Sequence, residues 1–181
     1  MKLPTFILML AALAPLYAAD RVVQRQGAAA PRIPNELIDF PKYLQIARDV
    51  EPVRAKRRVT EEQFAAMAAE PGTVVLDARS ADKFRLRHIK GAVSLPFTDF
   101  TEESLAKVLP QKTTRVLIYC NNNFRSAPVA FAAKSPPASL NISTYVALAT
   151  YGYTNVYELG PLLDVNTTKL VMEGTEVSAQ R

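Results

Sequence analysis

Hydrophobic positions along this chain follow two rhythms: short β-branched runs bounded by turn residues, and stretches whose apolar residues recur at helical spacing. Thr73-Val74-Val75-Leu76, bounded by Pro71-Gly72, reads as a buried strand that delivers Asp77 and Arg79 at its C-terminal end. Val93-Ser94-Leu95-Pro96 is a second, shorter strand. Arg115-Val116-Leu117-Ile118-Tyr119 is the clearest strand and runs straight into Cys120, and Asn155-Val156-Tyr157-Glu158-Leu159 is the last.

Helices are predicted between these strands. Thr60 and Gln63 have the spacing of a capping box, and Phe64, Met67 and Ala68 then fall on one face. Ser80 to Arg87 reads as a short helix or turn, and Thr101 to Leu109 as a helix with acids in its first turn and Pro110 as its stop. The Ala-rich stretch from Ser126 to Ala133 is predicted helical, with Pro128 tolerable in a first turn. Ser135 to Ser139 must be a loop, because adjacent prolines cannot continue a helix, and Ser135 to Asn141 looks inserted. Tyr145 to Tyr151 resumes helical spacing before Gly152. Strands alternating with short helices predict an α/β domain, a parallel sheet with helices on both faces.

The N-terminus has a different pattern. Lys2, an apolar run from Leu3 to Leu16 too short to span a bilayer, and small residues before Asp20 predict a secretory signal peptide over 1–19. A periplasmic or secreted location follows, with no stable membrane span after cleavage. Residues 20–58 read as an extension or linker, 59–165 as the domain, and 166–181 as a C-terminal tail.

Length and composition narrow the class. With 181 residues, 49% hydrophobic and 22% charged, the chain has room for one ordinary core. Part of the net charge of +5 sits in Arg54, Lys56, Arg57 and Arg58. That cluster lacks aromatic interleaving and precedes a capped helix, so it reads as a solvated connector, and nucleic acid is not an expected partner. A single Cys excludes an intrachain disulfide, and one Cys with one His cannot build a zinc site, so neither a metal nor an organic cofactor is expected. Asn141-Ile142-Ser143 and Asn166-Thr167-Thr168 have the form of glycosylation acceptors.

The chemistry gathers at Cys120-Asn121-Asn122-Asn123-Phe124-Arg125-Ser126. A strand ending in Cys, a short polar loop, an Arg and then a helix is a device for favouring thiolate: loop N–H groups and the positive end of the helix face the sulfur. Arg125 adds a fixed charge and a planar donor fork suited to an oxyanion. Phe124 either lines the pocket mouth or packs under the loop.

Leu76-Asp77-Ala78-Arg79, then Phe84, then His88-Ile89-Lys90-Gly91-Ala92, then Leu117-Ile118-Tyr119-Cys120 with Arg125-Ser126-Ala127, then Gly152 to Tyr157, together resemble a single-domain rhodanese over roughly residues 59–165. The resemblance implies a five-stranded parallel sheet flanked by helices and a Cys120 able to carry a persulfide. It gives Asp77, Arg79 and His88 structural roles and Asn121 to Ser126 the substrate loop. Related dual-specificity phosphatases place one residue more between Cys and Arg, so the narrower cradle here suits a terminal sulfur better than phosphate. Such loops commonly carry Gly where Asn123 stands, and Asn is the next best residue for left-handed backbone.

The implied activity is sulfurtransferase: Cys120 takes sulfane sulfur from a thiosulfate-like donor and passes it to cyanide, a small thiol or a partner-protein thiol. The alternative, favoured by the uncharged Asn triplet, is a catalytically silent rhodanese-like module that binds a partner or senses redox state.

Overall fold

Asp39 opens the fold by accepting a hydrogen bond from the Lys42 backbone N–H at 2.8 Å, which caps a helix, α1 (Phe40–Lys56). This computed structural model describes residues 33–178, so the predicted signal peptide and most of the leader lie outside the described residues. Helix α1 departs from the linker expected over 20–58. Pro41 sits in its first turn, where a missing N–H costs nothing, and Pro52 is accommodated inside it.

Strand β1 (Arg58–Val59) follows, then α2 (Glu61–Ala68), whose capping box forms as the Thr60–Gln63 spacing predicts. The strand β2 (Thr73–Asp77), helix α3 (Ala81–Leu86) and short strands β3 (His88–Ile89) and β4 (Val93–Ser94) come next. Helix α4 (Glu102–Val108) has its own capping box between Thr101 and Ser104. Beyond it lie β5 (Arg115–Tyr119), β6 (Phe124–Arg125), α5 (Leu140–Thr150), β7 (Val156–Leu159), β8 (Leu163–Asp164), β9 (Met172–Glu173) and α6 (Thr175–Ser178).

Five strands form one sheet in the order β1-β7-β5-β2-β4, and every neighbouring pair is parallel. Period-two alternation along β5 sorts its side chains to the two faces. Val116 and Ile118 pack with Leu105 of α4 and with Tyr145 and Leu148 of α5, while Leu117 and Tyr119 pack with Phe64 of α2 and with Phe124 and Phe131. Each such fully buried aliphatic side chain contributes about 1.5–3 kcal/mol relative to exposure. Helix α1 lies against α5 and β7, and Val50 joins the α4/α5 side of the core.

Two further elements differ from expectation. The stretch from Ser126 to Ala133 is not a helix but a single turn, closed by Phe131 N–H to Ala127 C=O at 2.8 Å. Ser126 sits at φ 68°, a left-handed backbone that cannot enter a right-handed helix, and the chain beyond is drawn out where Lys134 pairs with Asn122. The tail expected over 166–181 contributes β9, which pairs antiparallel with β3. Gly174, at φ 125°, follows it, and a Cβ there would stand 2.3 Å from the Leu86 carbonyl oxygen.

Candidate active site

Cys120 ends the central strand at the C-terminal edge of the parallel sheet, the edge where open α/β sheets bind ligands. It is buried, and the three asparagines after it form one turn of 3-10 helix. Asn123 anchors that turn. Its Oδ1 accepts from Cys120 N–H and from Asn141 Nδ2, both at 2.9 Å, and its Nδ2 donates to the Leu159 carbonyl at 2.7 Å. The position usual for Gly is therefore held by a side chain that ties the loop to β7 and α5. Asn122 makes a two-point pair with the Lys134 backbone, Nδ2 to O at 2.8 Å and N to Oδ1 at 2.9 Å.

A helix N-terminus does reach the sulfur, but it belongs to a different helix. Ser139, the residue preceding α5, places its Oγ 3.4 Å from Cys120 Sγ. The 11-residue α5 thus brings its positive end to the thiol, in place of the helix expected after Arg125.

The loop residues named from the sequence separate into two groups. Asn122 and Asn123 share with Cys120 a cavity of about 250 Å³. Asn121, Phe124, Arg125 and Ser126 do not line it. Asn121 faces Ala78 and Arg79, and Phe124 packs under the loop, edge-on to Tyr119 and against Phe131 at 4.6 Å. Arg125 is largely exposed, with Nε 3.4 Å from Asp164 Oδ2. Ser126 Oγ donates to the same carboxylate at 2.8 Å. The Asn166 backbone N–H first, and then the Ser126 hydroxyl, hold the Asp164 carboxyl below its usual range.

Residues given no site role by the sequence reading, Arg54, Arg58 and Glu158, also line the cavity, as do Ser139 and Asn141 of the stretch that looks inserted. Arg54 and Arg58 correct the solvated-connector expectation. Buried Glu158 receives Arg54 Nη2 at 2.8 Å and lies 2.6 Å from Arg54 Nε and 3.5 Å from Arg58 Nε. Asn141, read as an insertion and a glycosylation acceptor, is buried in the first turn of α5. The missed signal is a pairing across the chain: a lone Glu within an apolar strand calls for a cation.

The structural trio lies beneath and beside the loop. Arg79, 2% exposed, gives Nη2 to Asp77 Oδ2 at 2.6 Å and Nε to Oδ1 at 2.9 Å. Its remaining bonds reach the Ala130 and Arg87 carbonyls at 2.9 and 2.8 Å, so one guanidinium ties β2 to the post-loop turn and to the end of α3. Burial works against that charge, but the hydrogen bond and charge of Asp77 outweigh it and raise the Arg79 pKa. The Tyr119 hydroxyl also donates to Asp77, and burial, then the Asp77 charge, push this phenol well above its ordinary 10.0. His88 places Nδ1 2.8 Å from the Phe84 carbonyl and stacks on that ring at 3.7 Å, outside the Cys120 cavity.

Among the described residues, no helix is long and apolar enough to cross a membrane. Residues 60–160 match the family described as Rhodanese-like domain. Solved structures that resemble the chain are a rhodanese-like domain from Anabaena sp. (18% identity, 67% of this chain and 82% of that one, TM-score 0.49) and a protein from Bacillus halodurans (19%, 74% and 88%, TM-score 0.47). A rhodanese with anions from E. coli matches at 21% identity over 57% of this chain and 99% of its own, with TM-score 0.38. The curated proteins include no match to this chain.

Proposed function

The chain belongs to the rhodanese-like domain family, and on that premise we propose that it is a sulfurtransferase that carries sulfane sulfur on Cys120. The observation that carries the reading is the seat of the thiol: strand end, Ser139 Oγ at 3.4 Å, and a small cavity at the N-terminus of α5.

In the proposed cycle the Cys120 thiolate attacks the outer sulfur of thiosulfate. A new S–S bond forms at Cys120, the donor's S–S bond breaks, and sulfite leaves with the electron pair. Cyanide or a thiol then attacks the terminal sulfur of the Cys120 persulfide, and Cys120 departs as thiolate. No net oxidant is consumed. The positive end of α5 stabilises the negative terminal sulfur.

Intact mass after incubation with thiosulfate tests the reading. A gain of one sulfur atom, absent in Cys120→Ala, with thiocyanate production lost in Cys120→Ser, supports it. No adduct with any sulfane donor overturns it in favour of a silent binding or redox-sensing module. Export is part of the same proposal: residues 1–19 act as a cleaved signal, and mature protein that retains Met1 when recovered from the cell would exclude it.

A further inference from the structure

The charge of the Cys120 cavity comes from outside the cysteine loop. Asn122 and Asn123, the loop residues that share the cavity, are neutral, and Arg125 is turned toward Asp164. The charged residues lining it are Arg54 from α1, Arg58 from β1 and Glu158 from β7, so two guanidinium groups face one carboxylate and leave one positive charge over.

The two arginines are not equivalent. Arg54 is committed to Glu158 by contacts of 2.6 and 2.8 Å, and its side chain is only 23% exposed. Arg58 is held more loosely: Nε stands 3.5 Å from Glu158, Nη2 donates to the Gly160 carbonyl at 3.0 Å, and the side chain is 49% exposed. Of the five donors a guanidinium carries, Arg58 keeps several free for a ligand. Gly160 matters to its position. A Cβ there would stand 3.1 Å from the Val59 carbonyl oxygen and 3.7 Å from Arg58 Cβ, so glycine lets β1 lie close against the end of β7.

We propose that Arg58, with Arg54 neutralising Glu158 behind it, is the substrate-binding cation of this site. It takes the oxyanion end of a small sulfur anion of the thiosulfate class and leaves the sulfane sulfur facing Cys120. The identity of that ligand rests on the sulfur-transfer reading above; the electrostatic bias at Cys120 does not. The planar fork suited to an oxyanion is thus supplied by the first strand, through Arg58, and not by Arg125 of the loop.

Alkylation of Cys120 in the full chain by iodoacetate, an anion, and by iodoacetamide, its neutral counterpart, reads the bias directly. In both reactions the thiolate displaces iodide, so the ratio of the two rates cancels the thiolate fraction. Arg58→Gln lowers the iodoacetate/iodoacetamide ratio about five- to tenfold, the effect of removing one nearby charge at intermediate dielectric. Arg58→Lys restores most of it, and Arg125→Gln leaves it within about twofold of the parent. With thiosulfate as donor, Arg58→Gln raises KM about tenfold with kcat little changed.

An unchanged ratio in Arg58→Gln, an equal drop in Arg125→Gln, or a folded wild-type Cys120 that neither reagent labels each overturns the proposal. Should Arg58→Gln fail to fold, Arg58→Met, which keeps the aliphatic stem and removes the charge, takes its place: a ratio lowered as for Gln supports the proposal, and a ratio equal to the parent's overturns it. Failure of the transfer reading is separable, because it abolishes persulfide formation and leaves the alkylation ratio responsive. Persulfide formation with a flat ratio sinks this inference alone.

Discussion

Ser139 Oγ and Cys120 Sγ lie 3.4 Å apart although 19 positions separate them in the chain. The contact joins the end of the central strand to the start of α5, and it is where a hydroxyl can donate to a negative sulfur. Such a bond is worth about 1 kcal/mol, or roughly fivefold. Ser139→Ala is expected to slow persulfide loading from thiosulfate about three- to fivefold while leaving the sulfur adduct detectable by mass. Ser139→Thr, which keeps the hydroxyl, should load close to the parent rate. Equal rates in Ala and Ser would mean that the hydroxyl does not serve the sulfur.

The Asp77–Arg79 pair makes a different prediction, on stability. Both side chains are almost fully buried, at 0% and 1% exposure, and the guanidinium also holds two carbonyls beyond β2. Asp77→Asn leaves that guanidinium charged and unpaired, so unfolding by urea is expected to show a loss of about 3–5 kcal/mol. A loss below about 1 kcal/mol would contradict the buried ion pair.

Gly174 tests whether the end of the chain belongs to the fold. Its φ of 125° lies outside ordinary L-residue space, and a Cβ would meet the Leu86 carbonyl oxygen at 2.3 Å, a backbone atom that cannot swing aside. Gly174→Ala is expected to lower stability by about 2–4 kcal/mol, combining backbone strain with overpacking. A detached tail would tolerate alanine without change in the urea midpoint.

Local signals carried much of this fold. The Thr60–Gln63 box and the Val116 to Tyr119 run needed only spacing and β-branching, and both are present. What escaped depended on partners far along the chain. Arg54 and Arg58 looked solvated because Glu158, their carboxylate, lies 104 and 100 positions away. Helix α1 buries no residue completely, so its apolar positions do not mark a strong face. After Cys120, alanine-rich composition favoured helix, but the left-handed Ser126 and the Asn122–Lys134 pairing prevailed. The seat of Cys120 at the end of a strand was legible; the helix whose N-terminus meets it, α5, was not.

Tyr119 gives the fold an alkaline sensitivity. Its hydroxyl bonds Asp77 and lies 3.2 Å from the Ile89 N–H, and burial followed by the Asp77 charge raises its pKa well above the ordinary 10.0. The sign follows from which state holds the proton. Between the unfolded value near 10.0 and the higher folded value, the unfolded chain has lost the phenolic proton and the folded chain keeps it. The contribution is therefore fully present below that unfolded value and is lost as pH rises through the folded one. At pH about 8, Tyr119→Phe is expected to be less stable by about 1–2 kcal/mol, because the Asp77 carboxylate loses a buried donor. Above pH about 10 the parent loses stability faster than the variant and the gap narrows. Tyr145, whose pKa is raised by its burial, adds a slope common to both proteins and cancels in the comparison. Urea midpoints measured for both proteins across this range check the claim; a gap that stays constant into alkali would show that Tyr119 does not titrate differently in the folded chain.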